Sequence, residues 1–168
     1  DRGEYEIRAF ETEHGRIDSV GYAVVEDERK GRFDRERAEE LGVPEGPLFS
    51  KLHEGETVEL GDGTVVEPEQ VVGEPRPGRK FVYTGDTRPT DRTVEETKDV
   101  SLLVHDGMFA DDNKARAHKT GHSTAREAAE VAREADAELL ALTHVSSRYS
   151  DDVSPLEKEA REVFTDSF

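Results

Sequence analysis

Four short clusters of titratable side chains stand where this chain could do chemistry. Tyr83-Thr84-Gly85-Asp86-Thr87-Arg88-Pro89, His105-Asp106-Gly107-Met108-Phe109 and Thr143-His144-Val145-Ser146-Ser147-Arg148-Tyr149 each follow a stretch that reads as a strand. The fourth, Gly121-His122-Ser123-Thr124, stands at a helix start. In α/β arrangements function concentrates just past the carboxyl ends of strands. A sheet would therefore gather the first three clusters along one edge. A lone histidine after a strand is more often a surface or hydrogen-bonding residue than a ligand, and recurrence on successive strands shifts that balance. The chain has no cysteine, which excludes disulfides and thiolate ligands. Histidine with aspartate and no cysteine suits a zinc or manganese site that activates water. On the residues alone the chemistry is that of a metal-dependent hydrolase.

The elements that must position these clusters form a βα pattern. Strands are expected at 80–84, 100–105 and 139–143, and also at 5–10 and 20–26, which are β-branched and aromatic. A helix is expected over 124–136, with Ala125, Ala128, Ala129 and Ala132 at helical spacing and Ser123 as its N-cap. A last helix runs from Pro155 to Val163, with proline at the first turn. Residues 29–80 differ. Arg35 to Leu41 reads as a charged helix ended by Gly42, and Val43-Pro44-Glu45-Gly46-Pro47 as a rigid turn. Asp62-Gly63 centres a hairpin. With little apparent core of its own, this stretch is expected to be an arm inserted at about 29–80 and projecting from the main body.

At 168 residues the chain is long enough for one domain. It starts at Asp1 rather than Met, which we read as not a natural translation start. No apolar run approaches a membrane span and no signal-peptide pattern is present, so a cytoplasmic location is expected. Charged residues make up 38% of the chain and the net charge is −17. Taken simply, that charge opposes a nucleic-acid partner. The competing reading is an acidic bias suited to concentrated salt, where the Debye length is roughly 3 Å and repulsion of RNA is screened. Acids spread along the whole chain, and 16 Arg against 7 Lys, favour this halophilic reading.

The strand-end motifs, in this order and spacing, resemble the C-terminal motifs of the tRNase Z family, a branch of the metallo-β-lactamase superfamily. Glu13-His14 followed by Gly21-Tyr22 resembles the family segment with the third metal-binding motif, and Leu41 to Leu52 resembles the Gly-Pro-rich segment of its flexible arm. The resemblance covers nearly the whole of residues 1–168. It implies the C-terminal half of an αββα sandwich with a projecting flexible arm. It implies a zinc endoribonuclease that removes 3′ trailers from precursor tRNA by two-metal hydrolysis, leaving a tRNA 3′-hydroxyl. By the same resemblance His14 is a terminal ligand of one of two Zn²⁺ ions, Asp86 bridges the pair and His144 ligates the second. His122 lies beside the scissile phosphate as the catalytic histidine, supported by Asp106. Ser146 and Arg148 follow the ligand strand and are candidates for phosphate contact. Gly46 and Pro47 belong to the arm that grips tRNA, with Lys51, Arg76, Arg79 and Lys80 on or near it. Arg88 is read equally as a phosphate contact or as half of an internal ion pair, and Tyr149 as structural. A homodimer, each arm serving the partner's site, is also implied.

Two departures qualify the likeness. Family members usually carry Glu where this chain has Asp106, one methylene shorter, so weaker support of His122 or a small backbone shift is expected. The family's His-x-His-x-Asp-His, which supplies the remaining ligands, is nowhere in the chain. The expectation is that an N-terminal half supplies it and that these residues are inactive alone. The alternatives are a non-catalytic RNA-binding or scaffold module, and another metallo-β-lactamase-type hydrolase acting on a small substrate.

Overall fold

The computed structural model describes residues 5–168. In chain order the elements are β1 (Tyr5–His14), β2 (Ile17–Glu26), α1 (Arg35–Glu40), α2 (Pro47–Glu54), β3 (Val58–Glu59), β4 (Val65–Val66), β5 (Lys80–Tyr83), α3 (Asp91–Thr97), β6 (Leu102–Asp106), α4 (Lys114–Thr120), α5 (Ala125–Glu134), β7 (Leu140–Thr143) and α6 (Ser154–Val163). They divide into two compact units: the described residues up to 26 together with 79–168, and residues 27–78.

The larger unit is built on one mixed sheet, ordered β1-β2-β5-β6-β7. β1 and β2 form a hairpin, β5 runs antiparallel to β2, and β5, β6 and β7 are parallel. Parallel neighbours cannot be joined by a tight turn and need a crossover. α3 fills the first crossover, α4 and α5 the second. Because side chains alternate along a strand, each strand has a covered and an uncovered face. Phe10, Ala23, Val82, Leu103 and Leu140 turn inward, against Ala125, Ala128, Ala129 and Ala132 of α5 and Leu156 and Ala160 of α6. On the other face Ile7, Val20, Tyr22, Phe81 and Tyr83 are exposed. Tyr22 pairs in register with Tyr83, so these residues form an apolar strip left open among the described residues.

Several local expectations change. β1 continues to His14, because Thr12 pairs with Ser19 and Glu13 with Asp18; polar residues on both faces hid that extension. α2, α3 and α4 were not anticipated. The N-cap of α5 is Thr124 rather than Ser123: its hydroxyl accepts from Glu127 N while the Glu127 carboxylate accepts from Thr124 N, a reciprocal capping box. Ser123 Oγ instead donates to the Thr87 carbonyl at 2.6 Å.

Residues 27–78 have a core of their own, contrary to the sequence reading. Ala38, Val43, Leu52, Val58, Val66 and Val71 are buried together, with Phe33, Phe49 and Leu60 packed against them. α1 stops as expected where Gly42 takes φ +81°, a left-handed conformation that costs glycine little. Past that turn Pro47 opens α2, whose Leu52 is fully buried. The hairpin is present, with Val58 opposite Val66.

Candidate metal and catalytic site

The parallel order of β5, β6 and β7 brings their carboxyl ends to one edge, and the far end of β1 reaches the same place. His14 ends β1, Asp86 follows β5, Asp106 ends β6, His144 follows β7, and His122 lies between α4 and α5. Potential donor atoms of His14, Asp86 and His122 all lie within 4.8 Å of one another, as do those of Asp106, His122 and His144. The two groups share His122, whose ring centroid is 4.6 Å from that of His14 and 4.7 Å from that of His144. His144 Nδ1 stands 3.4 Å from Asp86 Oδ1.

Each side chain is held by something specific. Gly121 O accepts from His14 Nδ1 at 3.0 Å, which places the proton of the neutral tautomer on Nδ1 and leaves Nε2 as its donor atom. A metal-ligating histidine needs that tautomer. The approach depends on Gly121 itself. Its φ is +82°, and a Cβ there would come within 2.8 Å of Gly15 N and 2.9 Å of the His14 carbonyl carbon. His144 adopts φ +58°, a left-handed conformation that costs a non-glycine residue about 1–3 kcal/mol and clusters at functional sites. Asp106 is fully buried and accepts three bonds, from His122 Nδ1 at 2.8 Å, Thr87 N at 3.1 Å and Met108 N at 3.0 Å. The shorter carboxylate thus reaches His122 at full hydrogen-bonding distance, so the expected weakening does not follow. Ser19 Oγ donates to the Asp86 carbonyl.

His105 does not join this group. It alternates with Asp106 on β6 and is wholly buried on the other side, with Nδ1 2.9 Å from the Asp106 carbonyl oxygen. Burial pushes its pKa down, so it is neutral. On that strand the aspartate, not the histidine, faces the site.

Arg88 takes the ion-pair alternative. Nη1 donates to Glu127 Oε2 at 2.8 Å and to the His122 carbonyl at 2.6 Å, and Nη2 donates to Glu127 Oε1 at 2.9 Å. Glu127 side-chain exposure is 6%, and His118 Nε2 lies 3.0 Å from its Oε1. Burial opposes ionisation of Glu127, but the Arg88 guanidinium, the Thr124 N–H and His118 outweigh it and hold the carboxyl down at about 2. Sequence reasoning missed Glu127, although Thr124-x-x-Glu127 spells the capping box that would have found it. Tyr149 is structural, its hydroxyl accepting from Ala110 N.

Beside His122 opens a cleft of about 320 Å³, lined by Met108, Phe109, Arg116, Thr120, Ser146, Ser147 and Arg148. It gathers Ser146 and Arg148 next to the candidate catalytic histidine and adds Arg116, which the sequence had not singled out. Gly46 and Pro47 lie in the smaller unit, at the start of α2.

A family model described as a β-lactamase superfamily domain matches residues 50–145. The chain is 66% identical over 164 residues to a ribonuclease Z of Natronomonas pharaonis, an alignment covering 98% of this chain and 53% of that protein. It is thus similar to about half the length of that relative. Among solved structures it is similar to the metallo-β-lactamase fold protein YhfI from Bacillus subtilis, with TM-score 0.59 and 20% identity over 99% of this chain and 47% of that one. It is also similar to human tRNase Z, short form, with TM-score 0.53 and 25% identity over 90% of this chain and 40% of that one.

Proposed function

The chain belongs to the β-lactamase superfamily, and we propose that it is the C-terminal part of an endoribonuclease that removes 3′ trailers from precursor tRNA. The observation that carries this reading is the Asp106–His122 pair at 2.8 Å, set among His14, Asp86 and His144. Likeness to a ribonuclease Z at 66% identity supports the substrate class.

The donor set fits zinc: histidine and carboxylate, no cysteine, and a His14 ring already oriented by a backbone carbonyl. His14, Asp86 and His144 would hold Zn²⁺ together with ligands from a segment outside these residues. Bound zinc supplies Lewis-acid stabilisation of the phosphate oxygens and activates the attacking water. This chain's residues do the rest. Asp106 keeps the proton on His122 Nδ1 and fixes the ring at the wall of the cleft. From Nε2 the protonated ring delivers a proton to the departing 3′ oxygen of the tRNA as the phosphorus–oxygen bond breaks, leaving a 3′-hydroxyl. Arg88 holds the His122 carbonyl, and through it the loop between α4 and α5. Residues 27–78, with Gly46 and Pro47, serve to grip tRNA, and a homodimer would bring a second copy of that unit to each site.

The test is complementation. The chain is folded in concentrated salt with zinc, mixed with the His-x-His-x-Asp-His-bearing segment of the Natronomonas pharaonis relative, and given precursor tRNA. Cleavage at the 3′ end of the tRNA by the mixture, and by neither part alone, is expected. A mixture that takes up two zincs yet leaves the precursor intact would sink the proposal. His122→Ala should abolish cleavage without releasing zinc, whereas His144→Ala should lose both.

A further inference from the structure

We propose that Glu127 is a positioning residue for His122: through the Arg88 guanidinium it fixes the His122 backbone at the distance from Asp106 that proton transfer requires. The inference rests on the reading of His122 as general acid and adds the side chain that keeps it in place.

The frame is the short segment after β5. Thr87 N donates to Asp106 Oδ2 at 3.1 Å, and Ser123 Oγ donates to the Thr87 carbonyl at 2.6 Å. The next residue, Arg88, donates from Nη1 to the His122 carbonyl at 2.6 Å. Consecutive residues thus hold both partners of the Asp106–His122 hydrogen bond, together with the residue after His122. The segment is itself pinned to the end of β1, where Glu13 N donates to Thr87 Oγ1 and Arg88 N to the Glu13 carbonyl. Hydrogen bonds of this kind span about 2.7–3.2 Å, so a small shift of the His122 backbone breaks the 2.8 Å contact to Asp106.

In that frame the Arg88 side chain is the flexible member, since a long side chain loses rotamer freedom when it is fixed. Glu127 fixes it. Oε2 and Oε1 accept from Nη1 and Nη2 at 2.8 and 2.9 Å, a two-pronged geometry that sets the plane of the guanidinium. With that plane set, Nη1 also reaches the His122 carbonyl. His118 Nε2, 2.8 Å from Arg88 Nη2 and 3.0 Å from Glu127 Oε1, packs against the pair. Capping of α5 does not account for Glu127. A cap needs only an acceptor, which glutamine supplies as well. Glu127 is instead 5% exposed, and burying its charge is costly unless a cation is buried with it. The cation it recruits is the arginine that holds His122.

The experiment takes the full chain, folded in concentrated salt, and reads the His122 ring by proton NMR. The Nδ1 proton held against Asp106 should give a slowly exchanging downfield resonance, identified by its absence from His122→Ala. Arg88→Met/Glu127→Met removes the clamp without leaving a lone buried charge. Its fold should persist in circular dichroism while that resonance is lost or exchanges fast. Glu127→Asp, which keeps the charge and shortens the reach by one methylene, should displace the resonance by less. Arg126→Gln, which breaks another arginine–glutamate pair of α5, should leave it in place. In the complemented mixture the double variant should lower kcat by about tenfold to a hundredfold with KM unchanged, because it misplaces the proton donor and removes no substrate contact. The proposal falls if the double variant keeps the wild-type resonance, if it keeps the wild-type kcat in a mixture that cleaves, or if Arg126→Gln displaces the resonance equally. Should the double variant not fold, Glu127→Asp with an unmoved resonance overturns it instead. A wild-type mixture that fails to cleave overturns the endonuclease alone, because the resonance still decides the clamp.

Discussion

The two compact units are stabilised in different ways. Residues 27–78 hold together through a few scattered valines, Leu52 and the Phe33–Phe49 ring contact, with short elements and exposed ion pairs. The larger unit has a regular sheet and helix layer, and buries charge as well as hydrocarbon. Asp106 and Glu127 are both at or near zero exposure. Its catalytic candidates hang on that buried charge, through Asp106 on one side of His122 and Arg88 with Glu127 on the other. The smaller unit's histidine, His53, sits with Nε2 3.2 Å from the Gly31 carbonyl and its ring against Phe33, and joins no candidate metal group among the described residues. Burying polar groups is costly unless each is paired, so the unit that carries the candidate site should also be the one most sensitive to losing a partner.

The largest effect expected is therefore at Glu127. Glu127→Gln leaves the Arg88 charge without its counter-ion and should cost about 3–5 kcal/mol in denaturant unfolding of the larger unit. Replacing Arg88 and Glu127 together by methionine should cost less, since no lone buried charge remains. The pH dependence carries the same signature. The folded carboxyl sits at about 2, below its usual 4.5, so its stabilisation is fully present above about pH 4.5. It should be lost as pH falls from there toward 2. An unfolding midpoint unchanged between pH 5 and 3 would contradict the pairing.

Next in size is Leu52→Ala in the smaller unit. Leu52 is fully buried, and the change should cost about 2–5 kcal/mol, read from faster hydrogen exchange at Val58 and Val66. No such loss would mean that the cluster around Leu52 is not a core. A matched glycine pair sharpens the contrast. Gly42→Ala and Gly121→Ala both place a side chain at positive φ, at a cost of about 1–2 kcal/mol. At Gly42 the new Cβ meets only the end of Leu60 at 3.6 Å; at Gly121 it meets backbone at 2.8 Å. Gly121→Ala should accordingly destabilise more in thermal unfolding, and should displace His14 in the NMR spectrum. The smallest effect belongs to Arg35→Ala, whose ion pairs to Glu39 and Glu45 are solvent-exposed and should leave the unfolding midpoint in place.

What could be read from the chain followed how local the signal was. The strands at 80–83, 102–106 and 140–143 showed as apolar runs ending in polar clusters, and the alanine spacing of α5 gave its buried face. That His14, Asp86, His122 and His144 come together was legible because they sit in compact motifs at strand and helix ends. α2 was missed because Gly46-Pro47 looks like a loop until proline is seen to open a helix rather than close a turn. The core of residues 27–78 was missed because Ala38, Leu52, Val66 and Val71 come from separate short segments with no shared period.

Sequence by itself determined the donor chemistry, the βα order that puts clusters at strand ends, and the acidic, cysteine-free character of the chain. Only the tertiary structure decided which members of each cluster work together. Strand alternation turned Asp106 toward His122 and sent His105 inward, a choice made by which face of β6 the helices cover. Arg88 was drawn to Glu127, 39 residues away, because a buried carboxylate needs a counter-charge. Arg116 and Arg148 were left unpaired around one cleft because no acid lines it. Residue type sets what a side chain can do, whereas its partners are set by packing across the sheet, which no local spacing records.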